Sequence, residues 1–189
     1  MARSNFNVLT HGLSGLVGDM IVFRQRANKT IVCGKPRPSS KAPTASALAI
    51  RERFKRASQY ATSVMDNPTL KAEYQLTAKL GQSAYNMAFS DYQKAPEIYQ
   101  DIVLDGYTGV VGETIEVSVL DDFRVQSVHV KVASADETLI EQGAAVQSPN
   151  GLDWVYTFTA ANSEVTGSKL TITAMDLPGN KTVLEKILV

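Results

Sequence analysis

Two histidines, one cysteine and a few paired acidic residues are the side chains whose types could do chemistry here, and their spacing argues against most of it. His129 lies in the run VQSVHVKV, on the face of Ser127 and Lys131 and opposite Val128, Val130 and Val132. A strand with that alternation turns the imidazole to solvent. His11 stands in a glycine-rich stretch with no acidic residue before Asp19, as a turn residue would. A Ser-His-Asp arrangement would have to use one of these two, and the strand–nucleophile–helix context of a G-x-S-x-G elbow is missing. Gly12, Gly15 and Gly18 lack both the Lys-Ser/Thr ending of a P-loop and the tight first spacing of a dinucleotide loop. The run after them reads as a strand, where either motif needs a helix N-terminus. Cys33 is the single cysteine, which excludes an intramolecular disulfide and a cysteine-rich zinc site; it reads as a small apolar strand residue. Asp121 and Asp122 precede a strand, and Asp176 and Asn180 flank Leu177-Pro178-Gly179. Oxygen-rich loops of this kind can hold calcium, but no complete ligand set accompanies them and they read as turn residues. The residues therefore predict no catalytic group, no metal, no cofactor and no enzyme.

The charge distribution is more informative than any single site. Residues 1–60 hold 11 Lys and Arg against Asp19 and Glu52, a net +9, whereas the other 129 residues hold 8 Lys and Arg against 17 Asp and Glu, a net −9. A basic end of this kind binds something acidic, either nucleic acid or the acidic half of another copy. The predicted interaction residues are Arg24, Arg26, Lys29, Lys35, Arg37, Lys41, Arg51, Arg53, Lys55 and Arg56. They could neutralise several phosphates, but no helix-turn-helix or RNA-binding motif accompanies them, and Phe23 and Phe54 are the aromatics close by.

Three kinds of element must position these residues, and together they predict a multi-part α+β chain. Residues 1–42 read as a basic extended arm, with DMIVFRQ and KTIVCG forming a hairpin around Ala27, Asn28 and Lys29. Two strands lack the material for their own core, and GKPRPSSKAP follows as an extended linker. Residues 43–95 read as a helical module. Ala47, Ile50, Phe54, Ala57, Ala61 and Val64 recur at helical spacing in a first helix, and Asn67-Pro68 starts a second carrying Leu70, Tyr74 and Leu76 toward Gly81. A third spans Ser83 to about Tyr92, with Tyr85, Phe89 and Tyr92 on one side. Residues 96–189 change period to two. The runs QDIVL, TIEVSVL, VQSVHVKVA, ETLIEQ, DWVYTFTA, SKLTITAMD and TVLEKILV predict about seven strands of an immunoglobulin-like all-β sandwich, with Trp154, Tyr156 and Phe158 on one face of their strand.

The closing pattern Thr171-Ile-Thr-Ala-Met-Asp-Leu-Pro-Gly-Asn-Lys-Thr182 resembles the end of bacterial immunoglobulin-like (Big-type) modules, which implies a unit that displays, spaces or adheres. In the N-terminal half, GLSGLVGDMIVFRQ, KTIV, KPR and PTASALAIRERF resemble an uncharacterised family of small bacterial and phage-associated proteins, from which no activity carries over. No run approaches the roughly 18–20 apolar residues of a membrane-spanning helix, and the N-terminus lacks the apolar core of a secretory signal. The expectation is a non-enzymatic structural subunit of a virion or phage-like particle, assembled in the bacterial cytoplasm. Its partners would be further copies, joined through heterologous contacts, and other particle proteins. A nucleic-acid-binding accessory protein and a cell-surface adhesion module are the alternatives.

Overall fold

A computed structural model describes residues 2–4, 8–26, 29–37, 40–99 and 107–188. It is a mixed α+β chain of three helices and three four-stranded antiparallel sheets. Two compact units divide it, Met1–Met87 and Ala88–Val189.

In the first unit the predicted hairpin is the centre of a wider sheet. Strands β3 (Ile21–Arg26) and β4 (Lys29–Gly34) pair in register Phe23↔Val32 and Arg26↔Lys29, with Ala27 and Asn28 outside the described residues. Two three-residue strands flank them, β1 (Ala2–Ser4) on β4 and β2 (Gly15–Val17) on β3, which the sequence pattern did not reveal. Thr30 is the fully buried side chain of this sheet among the described residues; Leu16, Val17, Met20 and Ile21 are exposed. Among the described residues this sheet buries no apolar side chain fully.

Helix α1 (Ala45–Met65) begins where the Thr44 hydroxyl accepts the Ala47 amide at 3.2 Å. Helix α2 (Pro68–Thr77) is capped by Asn67, whose side-chain oxygen accepts the amides of Thr69 and Leu70 at 3.1 and 3.2 Å. It stops before Gly81. Helix α3 covers Ala84–Gln93. The α1 stripe is buried at Ala57, Ala61 and Val64 but not in its first half, where Ile50 is 66% and Phe54 58% exposed. In α2, Tyr74 is buried while Leu76 is 87% exposed, because the tyrosine faces α1 and hydrogen-bonds Tyr60 hydroxyl to hydroxyl at 2.9 Å. Ser58 of α1 and Tyr85 of α3 are joined in the same way at 2.8 Å.

The second unit holds two sheets, ordered β5-β6-β10-β9 and β12-β11-β7-β8. The first is built from β5 (Glu97–Ile98), β6 (Thr114–Leu120), β9 (Val146–Gln147) and β10 (Asp153–Thr157). The second comprises β7 (Val125–Ala133), β8 (Leu139–Ala144), β11 (Lys169–Asp176) and β12 (Lys181–Ile187). QDIVL, residues 100–104, lies outside the described residues; each of the other six predicted runs contains a strand. Alternate residues from both sheets meet in one core: Ile115 and Val117 from β6, Val128, Val130 and Val132 from β7, Leu170 and Ile172 from β11, and Trp154 and Tyr156 from β10. Each fully buried aliphatic contributes about 1.5–3 kcal/mol, so this core outweighs anything the first unit's sheet can bury. Among the described residues, no helix is long and apolar enough to cross a membrane.

The boundary between the units lies inside α3. The end of that helix meets the turn between β11 and β12. The Asn180 side-chain N–H groups lie 3.3, 3.2 and 2.8 Å from the carbonyls of Asp91, Tyr92 and Lys94, so two hydrogens are shared among the acceptors at the end of α3, where the Asp91 carbonyl also accepts the Lys94 amide at 3.1 Å. Thr182 donates to the Pro96 carbonyl, and Lys94 pairs with Asp122 at 2.5 Å. Replacing Asn180 by Ala should therefore destabilise the second unit by roughly 2–4 kcal/mol, read as a shift of the denaturant midpoint in Trp154 fluorescence. A change under about 0.5 kcal/mol, the size of an ordinary surface substitution, would show that the clamp is dispensable.

Candidate functional site

The ten predicted interaction residues are all exposed. Arg24 and Arg26 stand on one face of β3, Lys29 opposes Arg26 across the hairpin, and Lys35, Arg37 and Lys41 follow β4. Lys35 is paired with Asp19 at 2.5 Å. Arg51, Arg53, Lys55 and Arg56 follow on α1, in the same stretch as the exposed half of the apolar stripe. At about 100° per residue, Arg51 and Arg53 fall on opposite borders of the line through Ala47, Ile50 and Phe54. Arg56 is engaged by Glu52 one turn earlier, at 3.2 Å. The result is an apolar strip bordered by Arg51 and Arg53, with Glu52 and Arg56 on the opposite face. The charges were legible in the sequence. That the strip they border is uncovered was not.

His129 is exposed on the outer face of β7, as its alternation predicts. His11 lies in a turn and is exposed. Cys33 is half-buried in β4, its thiol 3.6 Å from the Val22 carbonyl. Among the described residues, none of the three has a carboxylate hydrogen-bonded to it.

The carboxylates assemble in a way the sequence does not show. Asp91, Asp121 and Asp176, from α3, the turn after β6 and the end of β11, each place an oxygen within 4.8 Å of the others. Asp91 and Asp176 are buried. A trio like this can share protons or hold a hard cation. Two of its members have structural duties already. Asp176 accepts the Asn180 amide and side-chain N–H at 2.6 and 2.7 Å, and Asp121 accepts the amides of Phe123 and Arg124 at 3.3 and 2.9 Å. Burial pushes the Asp176 carboxyl above its ordinary range against the pull of the Asn180 bonds, and the charge on Asp121 pushes the same way.

Glu141 is a second buried carboxylate, pointing inward from β8. One of its oxygens accepts the Tyr156 hydroxyl at 3.1 Å, the Thr159 amide and hydroxyl at 2.9 and 3.0 Å, and the Ala160 amide at 3.2 Å. Burial first, then this carboxylate, pushes the Tyr156 phenol up to about 12. The ring lies over Gly143, where a Cβ would come within 2.8 Å of it, so the position admits glycine alone without moving the tyrosine. These groups anchor the chain leaving β10.

No family model matches the chain, and no curated protein matches it. A crystal structure of an engineered protein is similar over 59% of this chain at 16% identity and a TM-score of 0.36, and the match spans 29% of that structure's length.

The carboxylate trio generates a pH prediction. A carboxyl whose folded pKa is raised keeps its proton in the native state after the unfolded chain has lost it; the stability it gives is present below the ordinary range and is lost as pH rises through the folded value. Glu113, Asp136 and Asp153 act oppositely. The Thr108, Ser134 and Ser118 hydroxyls hold them below the usual range, so their stabilisation is complete above about pH 5 and lost in acid. Between pH 5 and 7 the raised carboxyl of Asp176 acts against the slope these three give. Asp121→Asn keeps an oxygen for the two amides it caps and removes one charge beside Asp176. Thermal melts should show the variant gaining on the wild type from pH 5 to pH 7. A pH-independent difference would sink the assignment.

Proposed function

We propose that the chain is a non-enzymatic structural subunit of a virion or phage-like particle. Its basic first unit docks on the acidic surface of the next copy, and its second unit, which we read as an immunoglobulin-like sandwich, is displayed. Two four-stranded antiparallel sheets around one core, with Trp154 buried within it, support the sandwich reading. The single cysteine lies in the other unit, so such a sandwich would do without an intersheet disulfide.

The observation that carries the docking proposal is the uncovered half of the α1 stripe. Ala57, Ala61 and Val64 are sealed by helix contacts, and the same line continues through Phe54 and Ile50 into solvent between Arg51 and Arg53. An isolated apolar strip with a cationic border suits a partner that is apolar in the middle and acidic at the rim. The sheet β1-β4-β3-β2 adds exposed strand edges that can extend a neighbouring sheet. Contacts between unlike patches are heterologous, so they propagate into rings or filaments instead of closing at a twofold dimer.

Sedimentation velocity across protein and salt concentration tests this reading. The full chain should associate, and association should weaken with salt, because exposed charges are screened over about 8 Å at physiological ionic strength. Deleting residues 1–42, or changing Ile50 and Phe54 together to Ser, should leave monomers whose Trp154 emission is that of the folded second unit. Electron microscopy of the associated fraction should show rings or filaments. A chain that stays monomeric throughout and retains nucleic acid through purification would instead favour phosphate neutralisation by the same ten cations.

A further inference from the structure

The sheet β12-β11-β7-β8 turns one face to the core, and its other face carries a depression. His129 and Lys131 alternate on the outer side of β7, and their register partners on β11, Thr173 and Thr171, face the same way. Gln142 of β8 stands beside Lys131. Lys181 of β12 stands beside Met175 at the far end. Together these residues line a depression of about 510 Å³, within the range of small-ligand sites.

Its chemistry departs from that of the unit around it. Residues 88–189 carry 15 Asp and Glu against 6 Lys and Arg, yet no carboxylate lines the depression, while two lysines and a histidine do. Glu185, which pairs with Thr171 across the strands, is held at the rim by Lys169 at 2.8 Å. Two strand spacings and about four residues of rise separate the Lys131 and Lys181 backbones by roughly 16 Å, so the two ammonium groups can meet separate charges of one extended ligand. Hydroxyl and amide groups fill the interval. No aromatic side chain is among the lining residues, so neither a base nor a neutral sugar has a stacking platform.

We propose that this face binds an acidic oligosaccharide, one whose carboxylate or sulfate groups are spaced along a hydroxyl-rich chain. The lysines take the charged groups at the two ends, and Thr171, Thr173 and Gln142 hydrogen-bond the hydroxyls between. The site is open and its charges exposed, so affinity is modest and falls with salt.

The test uses the full chain, amide by amide, in NMR titrations with four probes: a tetrasaccharide of galacturonate, a sulfated heparin-derived tetrasaccharide, neutral maltotetraose and inorganic sulfate. Either acidic tetrasaccharide should shift the amides of His129, Thr171 and Thr173 saturably, and comparing the two tells carboxylate from sulfate preference. Maltotetraose and inorganic sulfate should not saturate these amides. Lys131→Ala with Lys181→Ala should weaken the response at Thr171 and Thr173 at least about tenfold, with an unchanged Trp154 melting curve. The heparin fragment also meets the basic residues of α1, and readout by residue separates that binding from this one. The proposal is overturned if the acidic probes shift only residues 51–56, if maltotetraose saturates the depression equally well, or if the double variant binds like the wild type.

Discussion

The side-chain amide of Asn180 is where the second unit is tied together. It donates to carbonyls near the end of a helix lying about ninety residues earlier in sequence and to the buried carboxylate of Asp176 in its own turn. Without it the carbonyls at the end of α3 would lose a side-chain donor, and one oxygen of the buried Asp176 carboxylate would lose its bond. One side chain serves both. Strand β5 starts three residues beyond Lys94 and pairs with β6 in the register Ile98↔Val119, so the helix end also sets where the first sheet begins. The cost of the arrangement is the gathering of Asp91, Asp121 and Asp176, whose mutual repulsion the fold carries.

The two units differ in how they treat apolar surface. In the second, valines, isoleucines and leucines from facing sheets close over one another. In the helical part of the first, contact is made through Ala57, Ala61 and Ala84 around Tyr74, the one large side chain wholly buried there among the described residues. Small residues let helices approach closely but bury little area each, at about 25 cal/mol per Å². The remaining apolar side chains, from Leu16 and Met20 to Ile50 and Phe54, stay at the surface. A chain can satisfy its backbone in sheets and helices without satisfying its apolar side chains, and this unit does so.

Periodicity made the second unit readable. Alternation along β7 and β11 identifies Val128, Val130, Leu170 and Ile172 as core positions without knowledge of their neighbours, because the strand repeat fixes which face each residue takes. The same logic located α1 and the Asn67-Pro68 start of α2. It failed where the outcome depended on partners distant in sequence. Periodicity marks Ile50 and Phe54 as apolar-face residues but cannot say whether anything covers that face. Leu76 looked like a partner of Tyr74, yet two residues along a helix turn it about 200° away. The union of Asp91 with Asp176, and of Glu141 with the segment after β10, joins positions whose local sequences give no sign of each other. Strands of two or three residues, such as β2 and β9, are too short for an alternating pattern to register.

Trp154 is the single tryptophan of the chain and sits 6% exposed in the shared core of the two facing sheets. The protein thus carries an intrinsic optical label confined to one of its two units. Emission shifts report the opening of that core and are silent about melting of the first unit's sheet or the alanine-lined helices. Far-ultraviolet dichroism records backbone from both units. The interval between the two transitions therefore measures how far the halves of this chain unfold independently, with no dye, tag or substitution introduced.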